Sequence, residues 1–580
     1  MNTFLLPWES IAHTKTCALS GEQFYVTDTD VILYDQMSPV FAGKKYTIPT
    51  PTLAPITRMQ RRMAFRNERY LYEKKSCLTG NTIVTMYHPD DDRKVCEPKL
   101  WYGDSWSAFD YGRQVDFNRS ILAQVGELWH DVPMMALYHT DNVENCDYTN
   151  WFWGKNGGKN CYLCFNGSGD EDCMFMKWVI NSKHCLEMYF GSKDEYCYQC
   201  VNCNECYATF YSQDCTNCRN CLFCSSCIGC QDCFWCMNLT GQQYCIFNEE
   251  LDKATYESRI KELRITHDNY SSILARVQKF HHSHPVRAHH NIGCENSIGD
   301  YLVDCKNVLG FEVFGCENVK YVGSSKLAKD CLDMTGYGYY SDHLLESLWS
   351  GNGSRMLFTA SCDSSSDIMY SAWCMSSNNL FGCVGLKHSA HSVLNISLSQ
   401  QEYETLVPKI IDHMISTGEW GEFFHPSISP FWYNETIGND DQPLDRATVE
   451  KYGWKWYDTP KKERQGAYVV PLDTREYNPE ITMKDVAGKN IDTLLAGTIK
   501  CEKTGEPFRI TREELRFYIM HDLPIPRIHP QARYNDRITF MNRKTLQSAH
   551  CAECGIEIQT TYNTHERKVL CEGCYRKMVY

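Results

Sequence analysis

Residues 215–236 read CTNCRNCLFCSSCIGCQDCFWC, with a cysteine at every third position. The same register extends from Cys146 to Cys245, and the gaps between neighbouring cysteines are 3, 9, 12 or 15 residues. A helix repeats every 3.6 residues and a strand every 2, so neither produces this pattern. The spacing predicts a parallel β-solenoid with about 12 residues in each coil, in which one residue on each of four short sides points inward.

An asparagine or aspartate directly precedes many of these cysteines, which supports this interpretation. Asparagine and aspartate tolerate a left-handed backbone, and their side chains can bond to the chain at a turn. A tight coil needs such a corner every few residues, so we expect the corners at these positions. They are Asn145, Asn160, Asp172, Asn202, Asp214, Asn217, Asn220, Asp232, Asp304 and Asp330.

The cysteines invite two interpretations, metal binding and packing. Residues 227–236 carry the spacing C-x2-C-x2-C-x2-C, which is similar to an iron–sulfur run. That run requires a final gap of three residues and a proline, whereas here the last gap is two and Met237 follows. In a second copy of the pattern, Ile368 replaces Cys221, and isoleucine cannot bind a metal. Inert inward thiols are therefore favoured, with metal in the first copy as the alternative.

That second copy lies 147 residues further along the chain. Each copy is followed by a segment with apolar residues at helical spacing, which predicts helices over 249–264 and 399–416, and a further helix near 268–280. Helices in these places would protect the exposed strand edges of the coils. The corresponding cysteines are Cys215 and Cys362, Cys227 and Cys374, and Cys236 and Cys383.

The two ends of the chain also resemble each other. Residues 17–34 (CALSGEQFYVTDTDVILY) align without a gap to residues 501–518 (CEKTGEPFRITREELRFY). Further along, Cys77 and Cys96 align with Cys551 and Cys571. We therefore predict one module used twice, as an N-terminal cap (residues 1–100) and a C-terminal cap (residues 501–580).

Four cysteines of the C-terminal cap have the spacing of a metal site. Cys551, Cys554, Cys571 and Cys574 form two C-x2-C pairs, and Gly555 follows the first pair, where the backbone must turn. This pattern predicts a tetrahedral zinc ribbon of the closed, structural kind. The alternative is four buried thiols without metal.

The N-terminal cap retains only part of that pattern. Cys17, Cys77 and Cys96, with His88 as a fourth ligand, could form a second zinc site. A cap without metal is the favoured alternative. The five histidines between residues 281 and 290 match no metal motif, and we interpret them as part of a solvated interdomain loop.

Both caps contain arginine-rich stretches. Cations that contact phosphates, with aromatic residues between them, are typical of nucleic-acid surfaces. The alternative is a solvated helix face with carboxylate partners such as Glu68 and Glu73. The candidate contacts are Arg61, Arg62, Arg66, Arg69, Arg533, Arg537 and Arg543.

Composition limits the classes of function. The chain has 580 residues, 33 cysteines, 43% hydrophobic residues and a net charge of −14, so we expect several globular domains and no wrapping of nucleic acid by the whole surface. The N-terminus lacks the pattern of a signal peptide, and no apolar run is long enough to span a membrane, which favours the cytoplasm and reduced thiols. Common nucleotide-binding and hydrolase motifs are missing from the sequence.

Several motifs together resemble a known family. They are FRNER (65–69), FDYGR (109–113), KNCYLCF (159–165), FWCMNL (234–239), YNET (433–436), CEKTGEPFRIT (501–511) and the final CAECG…CEGCY. The chain resembles an uncharacterised cysteine-rich zinc-ribbon and β-solenoid family of environmental bacterial and large-virus genomes. The resemblance implies the same plan of domains and no established activity.

The expected fold is mainly β with helices, with two solenoid segments between zinc-ribbon-like caps. We expect a non-catalytic scaffold in the cytoplasm, or inside a virion if viral, that docks a macromolecular partner, protein rather than nucleic acid, and that uses neither a membrane nor a small-molecule substrate. The alternatives are an RNA- or ribosome-associated protein and a solenoid enzyme acting on glycans. The predicted regions are the N-terminal cap, an aromatic connection (101–140), the first cysteine segment (141–248), helices (249–288), the second cysteine segment (289–398), a helix (399–416), an irregular aromatic linker (417–500) and the C-terminal cap.

Overall fold

The computed structural model describes residues 3–140, 142–154, 157–192, 223–263, 265–314, 320, 331–334, 336, 342–349, 351–458, 468–471, 491–539 and 542–579. The chain contains both helices and strands, in sheets of two to six strands. Predictions for the cysteines between residues 197 and 221, and for Asn202, Asp214, Asn217, Asn220 and Asp330, fall outside the described residues.

The N-terminal cap consists of short hairpins and helices. The arginine-rich helix of this cap begins at Pro55. A proline at the first helical position costs no hydrogen bond, because the N–H of that position has no partner within the helix. The elements are β1 Ile11–Thr16, β2 Gln23–Thr27, α1 Asp28–Met37, β3 Val40–Phe41, β4 Lys44–Lys45, α2 Pro55–Met63, β5 Tyr72–Lys75, β6 Thr82–Thr85, β7 Val95–Cys96 and α3 Pro98–Tyr102, followed by α4 Ile121–Asp131 and β8 Met134–Met135.

In the first cysteine segment, neighbouring strands pair in parallel with residues 12 positions apart. Phe165 pairs with Lys177, and Gln231 pairs with Gln243. At the start of the segment the offset is 15, as between Asn150 and Phe165. The elements are β9 Val143–Glu144, β10 Asn150–Phe152, β11 Gly158–Lys159, β12 Phe165–Ser168, β13 Asp170–Glu171, β14 Lys177–Ile180, β15 Tyr189–Ser192, β16 Gln231–Phe234, β17 Gln243–Ile246 and β18 Glu249–Glu250.

The second cysteine segment has the same register over a longer ladder. Leu345, Leu357, Met369, Phe381 and Val393 form one column of parallel partners, 12 residues apart. At the start of this segment the offset is 11, because Ile298 pairs with Leu309. The elements are β19 Val286–Arg287, β20 Ile298–Val303, β21 Leu309–Phe314, β22 Asp342–Leu345, β23 Ser354–Leu357, β24 Ser366–Met369, β25 Asn378–Phe381, β26 Ala390–Val393 and β27 Ile396–Ser397.

The backbone turns at every third residue of these ladders. From Glu346 to Leu394, each third residue has a positive φ, including bulky residues such as Trp373 at 57°. The predicted corners at Asn145, Asn160, Asp172, Asp232 and Asp304 are confirmed, with φ between 50° and 55°. The left-handed corner therefore follows position in the repeat, and the identity of the residue matters less than the sequence suggested.

The residue after most of these corners is buried, and many of the cysteines and serines at this position bond to the backbone of their own segment. The thiols of Cys173 and Cys185 donate to the carbonyl two residues earlier, at 3.2 and 3.1 Å. The hydroxyls of Ser365 and Ser371 do the same at 2.7 and 2.9 Å. Cysteine and serine are thus interchangeable here, since both are small donors that satisfy a buried carbonyl.

Both cysteine segments end in an antiparallel turn and then in helices. Strand β18 folds back on β17, and β27 folds back on β26. The three predicted helices are confirmed, although the first starts later than expected because β18 uses its opening residues. They are α5 Lys253–Glu262, α6 His267–Ser283 and α7 Gln400–Thr417.

Aromatic side chains of the connections pack against the second cysteine segment, as expected from the cost of leaving them in water. Trp101 lies 6.4 Å from Trp373, between ring centroids, and Trp420 lies 5.9 Å from Tyr370. Together with Trp129 and Trp151 they belong to one large core. The linker also contains α8 Ile437–Asp441, α9 Arg446–Lys451 and α10 Ile491–Ala496.

The C-terminal cap begins with a hairpin and ends on a helix. Its strand β32 pairs in parallel with β19, so the cap is joined to the start of the second cysteine segment. The elements are β28 Ile499–Lys500, β29 Pro507–Phe508, α11 Arg512–Met520, α12 Pro530–Ile538, β30 Gln547–His550, β31 Glu557–Thr560, β32 Val569–Leu570 and α13 Glu572–Val579. In the described part of the chain, every helix is too short or too polar to cross a membrane.

Candidate metal centre

The tight turn between β30 and β31 positions the first two cysteines of the C-terminal cap. The N–H of Cys551 donates to the carbonyl of Ile556 at 2.8 Å, and the N–H of Gly555 donates to the carbonyl of Cys551 at 2.9 Å. Gly555 has a φ of +73°, a conformation that glycine adopts without strain. The turn leaves the Cys551 and Cys554 sulfurs on its inner side, facing the start of α13.

In the second pair, Cys571 is the residue before α13 and Cys574 lies in the first turn of that helix. The N–H of Cys571 donates to the Cys551 sulfur at 3.3 Å, and the Cys554 and Cys571 sulfurs lie 3.7 Å apart. With Cys574, all four sulfurs lie within 4.8 Å of one another. Sulfurs that bind one tetrahedral zinc at about 2.3 Å lie about 3.8 Å apart, so the four residues fit the metal.

The electrostatics of the four thiols favour a cation. Burial raises the pKa of Cys551, but backbone N–H groups, including that of Cys571, outweigh it and lower the pKa to about 6. Hydrogen bonds with the sulfurs of Cys554 and Cys571 raise the pKa of Cys574 to about 12. Four crowded thiols therefore cannot all ionise alone, whereas a divalent metal would compensate four thiolates. Zinc bound here would supply structural cross-linking, since all four positions are protein sulfur.

Four turns in the two caps share one hydrogen-bond pattern. In each, a glycine with φ between +73° and +76° donates its N–H to the carbonyl four residues before it. In each, that earlier residue also donates to the carbonyl five residues after it. In each, the first residue of the turn contacts the start of a later helix. The turns are 17–22, 76–81, 501–506 and 551–556, and the helices are α2, α3, α12 and α13.

This pattern corrects the alignment of the N-terminal cap. Ser76, and not Cys77, occupies the position of Cys551, because Ser76 accepts the glycine N–H. Thr79 corresponds to Cys554, and Glu97, the residue before α3, corresponds to Cys571. The Glu97 carboxylate accepts hydrogen bonds from the hydroxyls of Ser76 at 2.6 Å and Thr79 at 2.7 Å. A carboxylate and two hydroxyls therefore hold this turn to its helix, in the place of the metal ligands.

The residues of the predicted second metal site do not come together. Cys77 and Cys96 are neighbours on paired strands, each one residue after the Ser76–Val95 bridge, and the Cys96 thiol donates to the carbonyl of Met134 at 3.9 Å. Cys17 lies elsewhere, with its sulfur 3.6 Å from the Thr57 hydroxyl, and His88 packs between aromatic rings. Among the described residues, the four cysteines of the C-terminal cap form the one cluster with metal-binding geometry.

The arginines of the N-terminal cap are buried, because α2 lies against the second cysteine segment. Arg61 bonds to Glu346 and Glu422, both at 2.8 Å, while Arg62 lies 3.5 Å from Asp333. Arg66 pairs with Glu68 at 2.6 Å, so the carboxylate partner considered from the sequence is real but buried. The half-buried Arg69 stacks on Tyr534, with its guanidinium 3.6 Å from the ring centroid.

The C-terminal cap repeats this arrangement on the first cysteine segment. Arg533 and Arg537 of α12 both pair with Glu187, which is fully buried. Arg533 also pairs with Glu514 at 3.1 Å. Burial raises the pKa of Glu514 to about 7, against the opposite effect of Arg533. Of the seven arginines proposed to contact nucleic acid, Arg543 alone is exposed; five are buried, so their guanidinium groups are not available to phosphates.

The sequence predicted a solvated loop for the histidines near residue 290, but His281 and His290 make buried or bonded contacts. His281 is a buried residue of α6. His290 bonds to the Asp300 carboxylate and to the Tyr562 hydroxyl, both at 2.9 Å, and stacks on Tyr301. His290 therefore helps to join the C-terminal cap to the second cysteine segment. Sequence reasoning missed these contacts because Tyr562 lies 272 residues away.

The chain matches no protein-family model, no curated protein and no solved structure.

Proposed function

We propose that this chain is a non-catalytic scaffold that docks a macromolecular partner. In this proposal both cysteine segments are solenoids of about 12 residues per coil, closed by duplicated caps, and zinc in the C-terminal cap has a structural role only. The observation that carries the proposal is that the buried side chains of each cysteine segment pack mainly against one another, and that many of its cysteines and serines also bond to its own backbone.

Several columns of contacts support the solenoid. Besides the strands, single parallel bridges join Leu348, Ala360, Ala372 and Val384, again 12 residues apart. A further column joins residues 351, 363, 375 and 387. Together with the ladder through Leu345 and the positive φ at every third residue, these columns fit a coil with four short sides. The shared turn pattern of the caps supports their duplication.

A rigid outer surface would suit a scaffold. In the first cysteine segment, Glu171 pairs with Lys159 at 3.6 Å and with Lys183 at 3.0 Å. The two lysines are exposed and Glu171 is half-buried, and the three residues lie 12 positions apart in one row, where coils stack at about 4.8 Å. In the second cysteine segment, Arg355 pairs in the same way with Asp367. Such rows present fixed charges of both signs, which favours a protein partner over a polyanion.

The two alternative functions receive less support. An RNA-binding role through the arginine-rich helices conflicts with the burial of five of the seven arginines and with the net charge of −14. A glycan-active enzyme needs two carboxylates that face each other across a cleft. Asp170 is buried, with its carboxylate accepting the N–H of Ser182 at 3.0 Å, while Glu171 is held by lysines. The cytoplasmic or virion-internal location belongs to the same proposal and suits the free thiols of the described residues.

The first experiment is elemental analysis of the purified chain together with a count of free thiols. One zinc per chain, with nearly all other thiols free, is the expected result. Six or more metal ions per chain, or abundant iron, would overturn the proposal for the cysteine segments.

The second experiment tests the surface. The full tagged chain and a variant with Glu171→Lys and Asp367→Lys are used to capture cross-linked partners at increasing salt, with and without nuclease. We expect the same protein partner to be retained by the native chain after nuclease treatment and lost by the variant. Capture that nuclease abolishes and salt weakens steeply would favour the RNA-binding alternative.

A further inference from the structure

Cys77 and Cys96 lie side by side at the edge of the N-terminal cap. Ser76 and Val95 form a parallel bridge, and the N–H of Cys77 donates to the carbonyl of Val95 at 2.8 Å. The next residue on each strand is therefore Cys77 on one side and Cys96 on the other. Paired strands lie about 4.8 Å apart, and disulfides join Cα atoms separated by about 4.4–6.8 Å. Residues at the same level of two paired parallel strands point to the same face, so the two thiols are neighbours, and each shifts the pKa of the other.

These two thiols are not remnants of a metal site. The turn pattern places Ser76, Thr79 and Glu97 at the positions of the metal-binding cysteines, and Cys77 falls at the position of Ala552. The N–H of Ala552 donates to Val569 as that of Cys77 donates to Val95. Metal binding therefore does not explain why Cys77 and Cys96 lie next to each other.

The exposure of Cys77 also distinguishes the pair from the thiols of the two cysteine segments. Cys77 is exposed, whereas Cys96 is fully buried in the largest core of the molecule. The described thiols of the two cysteine segments are buried, apart from the half-buried Cys146 and Cys294. The neighbouring Cys96 thiol, followed by the backbone N–H of Cys77 and the charge of Lys94, outweighs desolvation and lowers the pKa of Cys77 to about 7. A reagent can thus reach Cys77 as a thiolate, with a second thiol directly behind it.

We propose that Cys77 and Cys96 form a redox-active dithiol that exchanges with low-molecular-weight disulfides. The Cys77 thiolate attacks one sulfur of the disulfide, a mixed disulfide forms, and the first thiolate leaves. The Cys96 thiolate then attacks the Cys77 sulfur and releases the second thiolate. The protein dithiol loses two electrons and two protons, and the disulfide becomes two thiols. The product is a Cys77–Cys96 disulfide that ties the β5–β6 hairpin to β7.

The test uses the folded full-length chain and glutathione. The chain is equilibrated with oxidised and reduced glutathione at several ratios, free thiols are alkylated, and peptides are mapped by mass spectrometry. We expect one protein disulfide, between Cys77 and Cys96, to form and to reverse with the ratio. In Cys96→Ser we expect the reaction to stop at a mixed disulfide on Cys77, and in Cys77→Ser we expect Cys96 to remain a thiol.

Cys146 and Cys161 provide the internal comparison, since the N–H of Cys161 lies 3.4 Å from the Cys146 sulfur but neither thiol is exposed. If Cys96→Ser fails to fold, as judged by circular dichroism, the linkage map of the native chain decides alone. The proposal is overturned if both thiols stay alkylatable in excess oxidised glutathione, if the native chain accumulates the mixed disulfide on Cys77, or if the Cys77–Cys96 link forms only in denaturant.

Discussion

The carboxylate of Glu97 accepts a hydrogen bond of 2.6 Å from the hydroxyl of Ser76, at the place where Cys571 and Cys551 meet in the C-terminal cap. Thr79 donates to the other oxygen of the same carboxylate. The two caps therefore hold the same turn to the same helix by different chemistry. Hydroxyl–carboxylate bonds work without metal but depend on the charge of Glu97.

Replacing Glu97 should loosen the N-terminal cap. Glu97→Ala removes the acceptor from the buried Ser76 hydroxyl, and we expect a loss of about 1–2 kcal/mol in the free energy of unfolding. Glu73→Ala, on the exposed face of β5, is the matched control and should cost less than about 0.5 kcal/mol. Chemical denaturation followed by tryptophan fluorescence measures both. Equal effects would contradict the role assigned to Glu97.

The same carboxylate predicts a pH dependence. Burial raises the pKa of Glu97, but the bonds from Ser76 and Thr79 outweigh it and hold the pKa below its usual value. A group with a lowered pKa in the folded state stabilises fully above the unfolded value of about 4.3, and the contribution is lost as pH falls through the folded pKa. In this pH window, lowering the pH should therefore reduce the unfolding free energy of the native chain more than it reduces that of the Glu97→Ala variant. Denaturation midpoints between pH 6 and about 3 provide the test.

Glu187 should be among the most sensitive positions of the fold. It is fully buried and compensates two arginines of α12, so Glu187→Gln would remove the carboxylate that pairs with Arg537 and leave Arg533 with Glu514 alone. We expect a loss of about 3–5 kcal/mol, measured by chemical denaturation. Glu171→Gln, which weakens the solvent-accessible pair between the half-buried Glu171 and the exposed Lys183, should cost less than about 1 kcal/mol.

A finding of similar cost for Glu187→Gln and Glu171→Gln would mean that α12 is held by packing, with little contribution from the ion pairs. Limited proteolysis separates the two cases, since loss of the Glu187 contacts should release the C-terminal cap before the cysteine segments unfold.

Particular residues show what the sequence could predict. The period of three and the two C-x2-C pairs are local, so the corner at Asp172 and the cluster at Cys551 followed from spacing alone. The burial of Arg61 could not be predicted from the sequence, because its partners Glu346 and Glu422 are 285 and 361 residues away. An amphipathic arginine helix looks the same in sequence whether it faces phosphate or buried carboxylates.

The alignment of the caps failed for a different reason. Matching cysteine with cysteine placed Cys77 on Cys551, but the turn is defined by its glycine and its backbone hydrogen bonds, which place Ser76 there. The Ser-x2-Thr-Gly sequence at residues 76–80 indicates the correct alignment, because its glycine matches Gly555. Only the contact with Glu97 reveals that these hydroxyls replace metal ligands.

The inward positions of the cysteine segments should discriminate between side chains by hydrogen bonding. The Ser371 hydroxyl donates to the carbonyl of Met369 and accepts from the N–H of Cys383, both at 2.9 Å. Ser371→Cys keeps a small donor and should cost less than about 1 kcal/mol. Ser371→Ala removes the acceptor of the buried Cys383 N–H and leaves the Met369 carbonyl with the Gly382 N–H alone, and it should cost about 1–3 kcal/mol. Thermal unfolding of the two variants decides, and a more stable alanine variant would contradict this account.

Removing the metal should affect the C-terminal cap first. Cys554→Ser deletes one of four ligands, and we expect loss of the single zinc per chain, because three thiolates and a hydroxyl form a much weaker site. Cys294→Ser, at a half-buried thiol outside the cluster, is the matched control and should retain the metal. Since metal binding stabilises only the folded cap, a strong chelator should lower the unfolding midpoint of the native chain and of Cys294→Ser but leave that of Cys554→Ser unchanged. Atomic emission and calorimetry supply the two measurements. A chelator that lowers the midpoint of Cys554→Ser as well would place the stabilising metal somewhere other than these four sulfurs.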